Sequence, residues 1–304
     1  MINYQWYPGH MTKAKRMMQE NVKLIDLIIE LVDARIPMSS RNPDIDILGK
    51  GKARLILMNK SDLADTQANT KWEVYFKNKG YYVLPLNSKN GNGMKAVQQK
   101  VREACSAKIE KDRKKGIINR PVRAMVVGIP NVGKSTFINA FAGKACTKTG
   151  NKPGVTKGKQ WIRISNELEL LDTPGILWPK FEDQSIGEKL ALIGSINDEI
   201  LSVEDMAFAT VKFMLKFYPE RLSERYNIDP DGAVNEADKV IDLNIAGVDN
   251  LEEASVVLNA MDLICEKRGC LKKGKGPDYK RVSGMIMDDF RSGKLGKITL
   301  ELPE

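Results

Sequence analysis

Runs of apolar, mostly branched residues recur along the chain at 26–33 (DLIIELVD), 54–58 (RLILM), 81–86 (YYVLPL), 122–128 (VRAMVVG), 160–164 (QWIRI) and 168–172 (LELLD). Each reads as a strand. The first four alternate with helix-length segments at 66–79, 93–114 and 134–143, the pattern of a parallel sheet covered on both faces. A doubly wound α/β domain is expected. The charged stretch KIEKDRKKGIINRP, 108–121, reads as the end of a helix running into an exposed linker. After Trp178-Pro179 the period changes: Leu251, Ala254, Val257, Leu258, Met261, Ile264 and Cys265 fall at spacings of three and four, one apolar helix face. Segments 203–218 and 278–291 also read as helices, punctuated by Pro219, Pro230 and Pro277. The expected organisation is an α/β domain over 1–180 and a small all-α domain over 181–304.

Composition narrows the picture. A chain of 304 residues holds enough apolar side chains for two cores. Its cysteines, Cys105, Cys146, Cys265 and Cys270, form no CxxC pair, and His10 is the single histidine, so neither a disulfide framework nor a structural zinc site is implied. A reducing compartment is expected. No apolar run is long enough to span a bilayer, and Met1 to Trp6 does not open a leader peptide, so the expectation is a cytoplasmic protein with no membrane partner.

The formal net charge is +9, and its placement matters more than its sum. From Glu266 to Lys297 ten Lys or Arg stand against four Asp or Glu, and from Lys108 to Arg120 six stand against two. Such a stretch is either an ordinary solvated face or a surface for a polyanion such as RNA. The residues proposed to meet RNA phosphates are Lys272, Lys273, Lys275, Lys280, Arg281, Arg291 and Lys294.

The chemistry is concentrated in short motifs. GIPNVGKST, 128–136, matches a phosphate-binding loop through Gly128, Gly133, Lys134 and Ser135, placed after a strand and before a helix. Backbone N–H groups of Asn131, Val132, Gly133 and Thr136 belong to the same cradle. Lys134 would reach the β and γ oxygens, and the Ser135 hydroxyl would bind Mg²⁺. DTPG, 172–175, ends a strand, where Asp172 would hold Mg²⁺ and the Gly175 N–H would meet the γ phosphate. Thr156, in KPGVTKG, is either a turn residue or a hydroxyl that closes on Mg²⁺ and the γ phosphate.

NKSD, 59–62, is the base-reading element. The Asp62 carboxylate would accept from N1–H and the exocyclic amine of guanine, a pattern adenine does not offer, and the Lys60 stem would lie on the ring beside Asn59. Ser88 and Lys89 follow the third strand and suit the loop that contacts the guanine oxygen.

Base recognition thus precedes phosphate recognition along the chain. The five elements together resemble the translation-factor-like GTPases in circularly permuted order, as if an ordinary domain were cut after its switch region and its termini joined. Permutation is tolerated because contacts, not chain order, make the site. More narrowly, YPGHM (7–11), DARIPMSSRNP (33–43), LLDTPGILWPK and FRSGKLGKITLE, with the motifs above, resemble the ribosome biogenesis GTPase A family over nearly the whole chain. That resemblance implies a circularly permuted P-loop GTPase domain followed by an RNA-binding helical domain. It also implies a role in late maturation of the large (50S) subunit, with precursor rRNA and ribosomal proteins as partners. The expected cycle is binding in the GTP state and release after hydrolysis, by a chain that is a monomer when free.

Catalysis departs from the Ras pattern, where a water-orienting Gln follows the DxxG glycine; here the residue is Ile176. The pattern resembles GTPases in which a P-loop Asn, here Asn131, coordinates K⁺; its other reading is a loop-stabilising amide. The family resemblance suggests that His10 supplies or positions the attacking water, against a structural or solvent-exposed role. The catalytic set is therefore His10, Lys134 and Thr156. A nucleotide-gated binding module with incidental hydrolysis is the alternative that Ile176 favours.

Overall fold

The computed structural model describes residues 9–118, 120–147, 160–178, 181, 183–197, 201–230, 251–272 and 276–304; at 9, 10 and 251 it describes the backbone alone. The described residues fall into two compact units, one of residues up to Ile186 rejoined by Thr299–Glu304, the other Gly187–Ile298. Among the described residues no helix is long and apolar enough to cross a membrane.

The first unit is built on one sheet of Leu27–Asp33 (β1), Ala53–Asn59 (β2), Tyr82–Pro85 (β3), Val122–Val127 (β4), Gln160–Ser165 (β5) and Leu168–Asp172 (β6). Their order across the sheet is β3-β2-β1-β4-β6-β5. All neighbours pair in parallel except β5, which returns antiparallel on β6. The apolar runs therefore become strands within a residue or two of where the sequence places them. Every residue of β1 is buried, as a central strand with both faces covered requires. From β1 the chain winds outward to β3, then crosses to β4, runs out to β5 at the opposite edge and turns back to β6 between them. β1 and β4 are adjacent, so the topological switch point lies between them, and ligands of such sheets bind beyond the carboxyl ends there.

Helices Gly9–Asn21 (α1), Asp44–Leu48 (α2), Thr66–Asn78 (α3), Met94–Ala104 (α4), Ser106–Lys114 (α5) and Lys134–Ala142 (α6) belong to this unit. α3 starts where the Asp65 carboxylate accepts from the Ala68 amide at 2.8 Å, and Trp72 and Phe76 on its inner face stack at 5.5 Å over Ile56, Met58 and Val83. The single helix expected over 93–114 is two. The chain turns at the buried Cys105, and α5, polar on all sides, buries none of its residues, so the packing that directs α4 does not extend to it. Burial pushes the Cys105 thiol up to about 12, the behaviour of an inert core group. All four cysteines are free.

Gln184–Leu192 (α7) carries the chain into the second unit, which contains Val203–Phe217 (α8), Pro219–Tyr226 (α9), Leu251–Arg268 (α10) and Tyr279–Ser292 (α11). Met206, Thr210 and Met214 of α8 and Val282, Ile286 and Phe290 of α11 are buried at helical spacing, as are Ala254, Val257, Leu258, Met261, Ile264 and Cys265 of α10. A buried carboxylate stands in this core: Asp289 accepts a fork from Arg225 at 2.8 and 3.1 Å, which outweighs the effect of burial and holds its carboxyl below the usual range.

Candidate functional site

The carboxyl ends of the strands meet along one edge: Asp33 lies opposite Asn59, and Val126 opposite Asp172. Past Val127, Gly128 adopts φ +152°, and a β-carbon there would stand 2.6 Å from the Leu31 carbonyl oxygen. Glycine is therefore required by both conformation and space. Asn131 at φ +58° and Gly133 at φ +100° turn the loop sharply, and α6 begins at once with Lys134. The positive end of that helix faces the loop.

Lys134 is buried, its ammonium folded onto the loop and donating to the carbonyls of Gly128 at 3.0 Å and Ile129 at 2.8 Å. Gly175 lies against it: a β-carbon there would stand 2.8 Å from Lys134 Nζ and 2.9 Å from Pro130. Phosphate loop and DTPG loop thus press together, and Thr173 Oγ1 anchors the latter by donating to the Val126 carbonyl at 2.7 Å. Asp172 is buried, and among the described residues neither of its carboxylate oxygens completes a hydrogen bond. Burial pushes its carboxyl up against the pull of Lys134, while burial pushes the Lys134 ammonium down against the pull of Asp172. An orphaned buried carboxylate at the mouth of a phosphate loop suits a divalent cation, whose charge would relieve the cost of its burial. Ser135 and Thr136, half-buried in the first turn of α6, complete this side.

The NKSD turn is held by Asn59. Its Nδ2 donates to the Val132 carbonyl at 2.7 Å, and its Oδ1 accepts from Ser88 N at 3.0 Å and Ser88 Oγ at 2.9 Å. One buried amide therefore joins NKSD, the phosphate loop and the Ser88 loop. Lys60 follows at φ +58°, its ammonium donating to Asp33 Oδ2 at 2.9 Å. Asp62 and Lys89 are exposed. Asn87 shapes the last loop, its Oδ1 accepting from the amides of Lys89 at 2.8 Å and Asn90 at 3.2 Å.

Two residues here carry more of the site than the sequence reading gave them. Asp33 is fully buried at the end of β1 and takes a two-pronged contact from Arg35, Nε to Oδ1 at 2.9 Å and Nη2 to Oδ2 at 2.8 Å. Burial alone would raise its carboxyl, but Arg35 and Lys60 together hold it well below the usual carboxylate range. A charged residue at the end of the strand LIIELVD, followed by Arg two positions on, was the available signal in DARIPMSS.

Ile176 is buried and its carbonyl accepts from Asn42 Nδ2 at 3.4 Å. Thr156, the His10 side chain, Lys273 and Lys275 lie outside the described residues. Of the basic residues of the last third, Lys272, Lys280, Arg281 and Lys294 are exposed, with Lys294 3.4 Å from Asp289. Arg291 differs: half-buried, it donates from Nε to the Leu192 carbonyl at 2.9 Å and from Nη2 to the Ala191 carbonyl at 2.8 Å, closing the end of α7.

Known proteins resemble this chain over its length. A family model described as 50S ribosome-binding GTPase matches residues 123–239. The ribosome biogenesis GTPase A of Bacillus cereus is 47% identical over 99% of this chain and 94% of its own, and that of Priestia megaterium 44% identical over 99% and 98%. The GNP-bound structure of YlqF from T. maritima superposes with a TM-score of 0.61 at 27% identity, covering 96% of this chain and 99% of that one. A phosphate loop at the switch point of a permuted sheet and kinship along the whole chain lead to one conclusion: the chain belongs to the ribosome biogenesis GTPase A family, and it is a GTP-binding GTPase that acts in ribosome biogenesis.

Proposed function

We propose that this GTPase serves late maturation of the large (50S) ribosomal subunit in the cytoplasm, docking as a monomer on precursor rRNA and ribosomal proteins in its GTP state and leaving after hydrolysis. The observation that carries the nucleotide half of this reading is the Asn59 knot, which ties NKSD to the 128–136 loop and to Ser88, so that groups suited to a base and to phosphates stand on one edge. The printed names of the relatives support the ribosomal half.

In this reading Asp62 reads the guanine amine, the Lys60 stem covers the ring, and the Ser88–Lys89 loop meets the guanine oxygen. Lys134 exchanges the Gly128 and Ile129 carbonyls for the β and γ oxygens, and the Gly175 N–H meets the γ phosphate. Ser135, Thr156 and Asp172 would hold Mg²⁺, which when bound offsets the charge of the transferring phosphoryl group. Asn131 would offer its amide oxygen to K⁺, and His10 would orient the water in place of the side chain that Ile176 lacks. The α/β unit would turn over nucleotide, and the helical unit, Gly187–Ile298, would meet RNA phosphates through Lys272, Lys273, Lys275, Lys280, Arg281 and Lys294. Arg291 is committed to the carbonyls of Ala191 and Leu192 and belongs to the framework behind them.

Sedimentation with large-subunit precursors in GTP, in GDP and in a non-hydrolysable analogue tests the cycle, with turnover measured in parallel. The expected result is co-sedimentation with the analogue, release with GDP and faster turnover on the particle. The buried Ile176 favours a second reading, nucleotide-gated binding with incidental hydrolysis. Gated binding with turnover that the particle leaves unchanged would establish that one instead.

A further inference from the structure

The chain's last residues, Thr299–Glu304, pack in the α/β unit rather than with the helices that precede them. Three of them make specific contacts there. Leu300 N donates to the Arg35 carbonyl at 2.8 Å. The Glu301 carboxylate accepts from the amides of Met38 at 2.6 Å and Ser39 at 2.8 Å, and from Ser39 Oγ. The Glu301 carbonyl accepts from Trp72 Nε1 at 3.0 Å, and Thr299 Oγ1 from the Asp65 amide at 3.0 Å.

These contacts fall on both flanks of NKSD. On one flank, the 35–40 loop that Glu301 holds also holds Asp33: Ser40 Oγ accepts from Asp33 N at 3.0 Å, and Arg35 forks onto the Asp33 carboxylate. Asp33 in turn receives the Lys60 ammonium at 2.9 Å. On the other flank, Asp65 caps α3, and Asn69 of that helix donates back to the Ser61 carbonyl at 3.1 Å. Lys60 between them sits at φ +58°, a conformation that a non-glycine residue keeps only where its surroundings enforce it.

We propose that the tail, through Glu301, is a positioning element for the guanine site. It acts through the 35–40 loop and Asp33 on Lys60, and through Asp65 and α3 on Ser61, and so sets how long guanine nucleotide stays bound. This rests on the reading of Lys60 and Asp62 as base contacts. A carboxylate on two amides and a hydroxyl is a strong anchor because its acceptor is charged. The plain alternative is a fastening that stabilises the fold and leaves the nucleotide unaffected.

The test uses the full chain and a fluorescent GDP analogue, with dissociation followed after mixing with excess GDP. Glu301→Ala is expected to speed dissociation about tenfold, within the range usual for coupling between sites, while turnover at saturating GTP stays within about twofold. Glu301→Gln keeps a carbonyl for the two amides and an amide N–H that can donate to Ser39 Oγ, so it should restore dissociation to within about threefold of the natural chain. Glu304→Gln, which removes an exposed charge from the same tail, should change nothing. Thermal unfolding without nucleotide is read on each variant. Unchanged dissociation from a folded Glu301→Ala protein overturns the proposal, as does faster dissociation that Gln does not restore and that accompanies a lower melting point without nucleotide. Asp62→Asn is run alongside: if guanine preference does not move, the base-site reading itself fails, whereas a moved preference with an inert Glu301→Ala removes the tail alone.

Discussion

The Asn59 side chain donates to the Val132 carbonyl at 2.7 Å across 73 positions of sequence, so the turn proposed to read the base and the loop proposed to cradle the phosphates are one mechanical body. The contact explains how the order of motifs can be reversed along the chain without loss of the site. β2 and β4 flank β1, and one buried amide spans the gap between their ends.

Asn59→Ala should therefore weaken GTP and GDP alike, because it leaves the Val132 carbonyl and the Ser88 groups without their partner, at a cost of about 1–3 kcal/mol for each buried group stranded. Asp62→Asn should act differently. An amide donor at that position matches the C2 carbonyl of xanthine, so preference should move from guanine toward xanthine nucleotides. Competition binding with both bases separates the outcomes: a uniform loss for Asn59→Ala and a changed ratio for Asp62→Asn are expected. An unchanged ratio would remove Asp62 from the base site.

Asn131, at φ +58° in the phosphate loop, is the residue proposed to hold K⁺. Hydrolysis should then be faster in K⁺ than in Na⁺ at equal ionic strength, which keeps general screening constant. Asn131→Ala should abolish the difference. Equal rates for the natural chain in both salts would dispose of the cation, and a difference that survives the substitution would move it to other ligands.

The parts of this molecule legible in the sequence are those written in local pattern. β1 is a run of branched residues broken only by Glu30 before it ends at Asp33, and Gly128 to Ser135 must be contiguous because one strand, turn and helix make the cradle. The rest is held by pairs far apart. Glu301 meets Ser39 across 262 positions, and nothing periodic near either residue announces the partner. The break at Cys105 was hidden because the polar residues after it have good helix propensity and the helix does resume. In the site, Asn59 was legible as part of NKSD but not as a link to Val132, since a side-chain amide bridging two loops leaves no spacing rule. Arg291 looked like one of a basic set until its neighbours Ala191 and Leu192 were in place.

Asp33 carries a pH signature. Its carboxyl is buried and held below the ordinary value of 3.8 by Arg35 and Lys60, so as pH falls the unfolded chain takes up this proton first. The stabilisation is complete above 3.8 and is lost as pH drops beneath it toward the depressed value. Asp33→Asn leaves two cations without their counter-charge and should cost about 3–5 kcal/mol at neutral pH. Urea unfolding of both chains at neutral pH and at about pH 2.5 should show the gap between them shrinking in acid. A gap that persists there would mean that hydrogen bonding or packing, and not the carboxylate charge, holds the Arg35 and Lys60 side chains.

Lys280 and Arg281 sit exposed in the first turn of α11, while Arg291, in its last turn, spends two donors on the carbonyls of Leu192 and Ala191. Phosphate contact and helix capping make opposite demands on a guanidinium, so the two ends of one helix should respond differently to loss of charge. If Lys280 and Arg281 each neutralise an RNA phosphate, replacing both with Gln should flatten the slope of log affinity against log salt by about 0.7 per lost contact, and leave GTP affinity unchanged. Selectivity among RNA sites should survive better than affinity, since phosphate contacts position a protein and exposed bases specify the site. Arg291→Gln should keep the slope and lower the unfolding temperature of the helical unit, because two carbonyls at the end of α7 lose their donor. Binding to large-subunit precursors over a salt series, with thermal unfolding of the same proteins, checks both. A slope that Lys280→Gln with Arg281→Gln does not change would take this face of α11 out of RNA binding, and a slope that Arg291→Gln flattens without loss of stability would return that residue to the RNA surface.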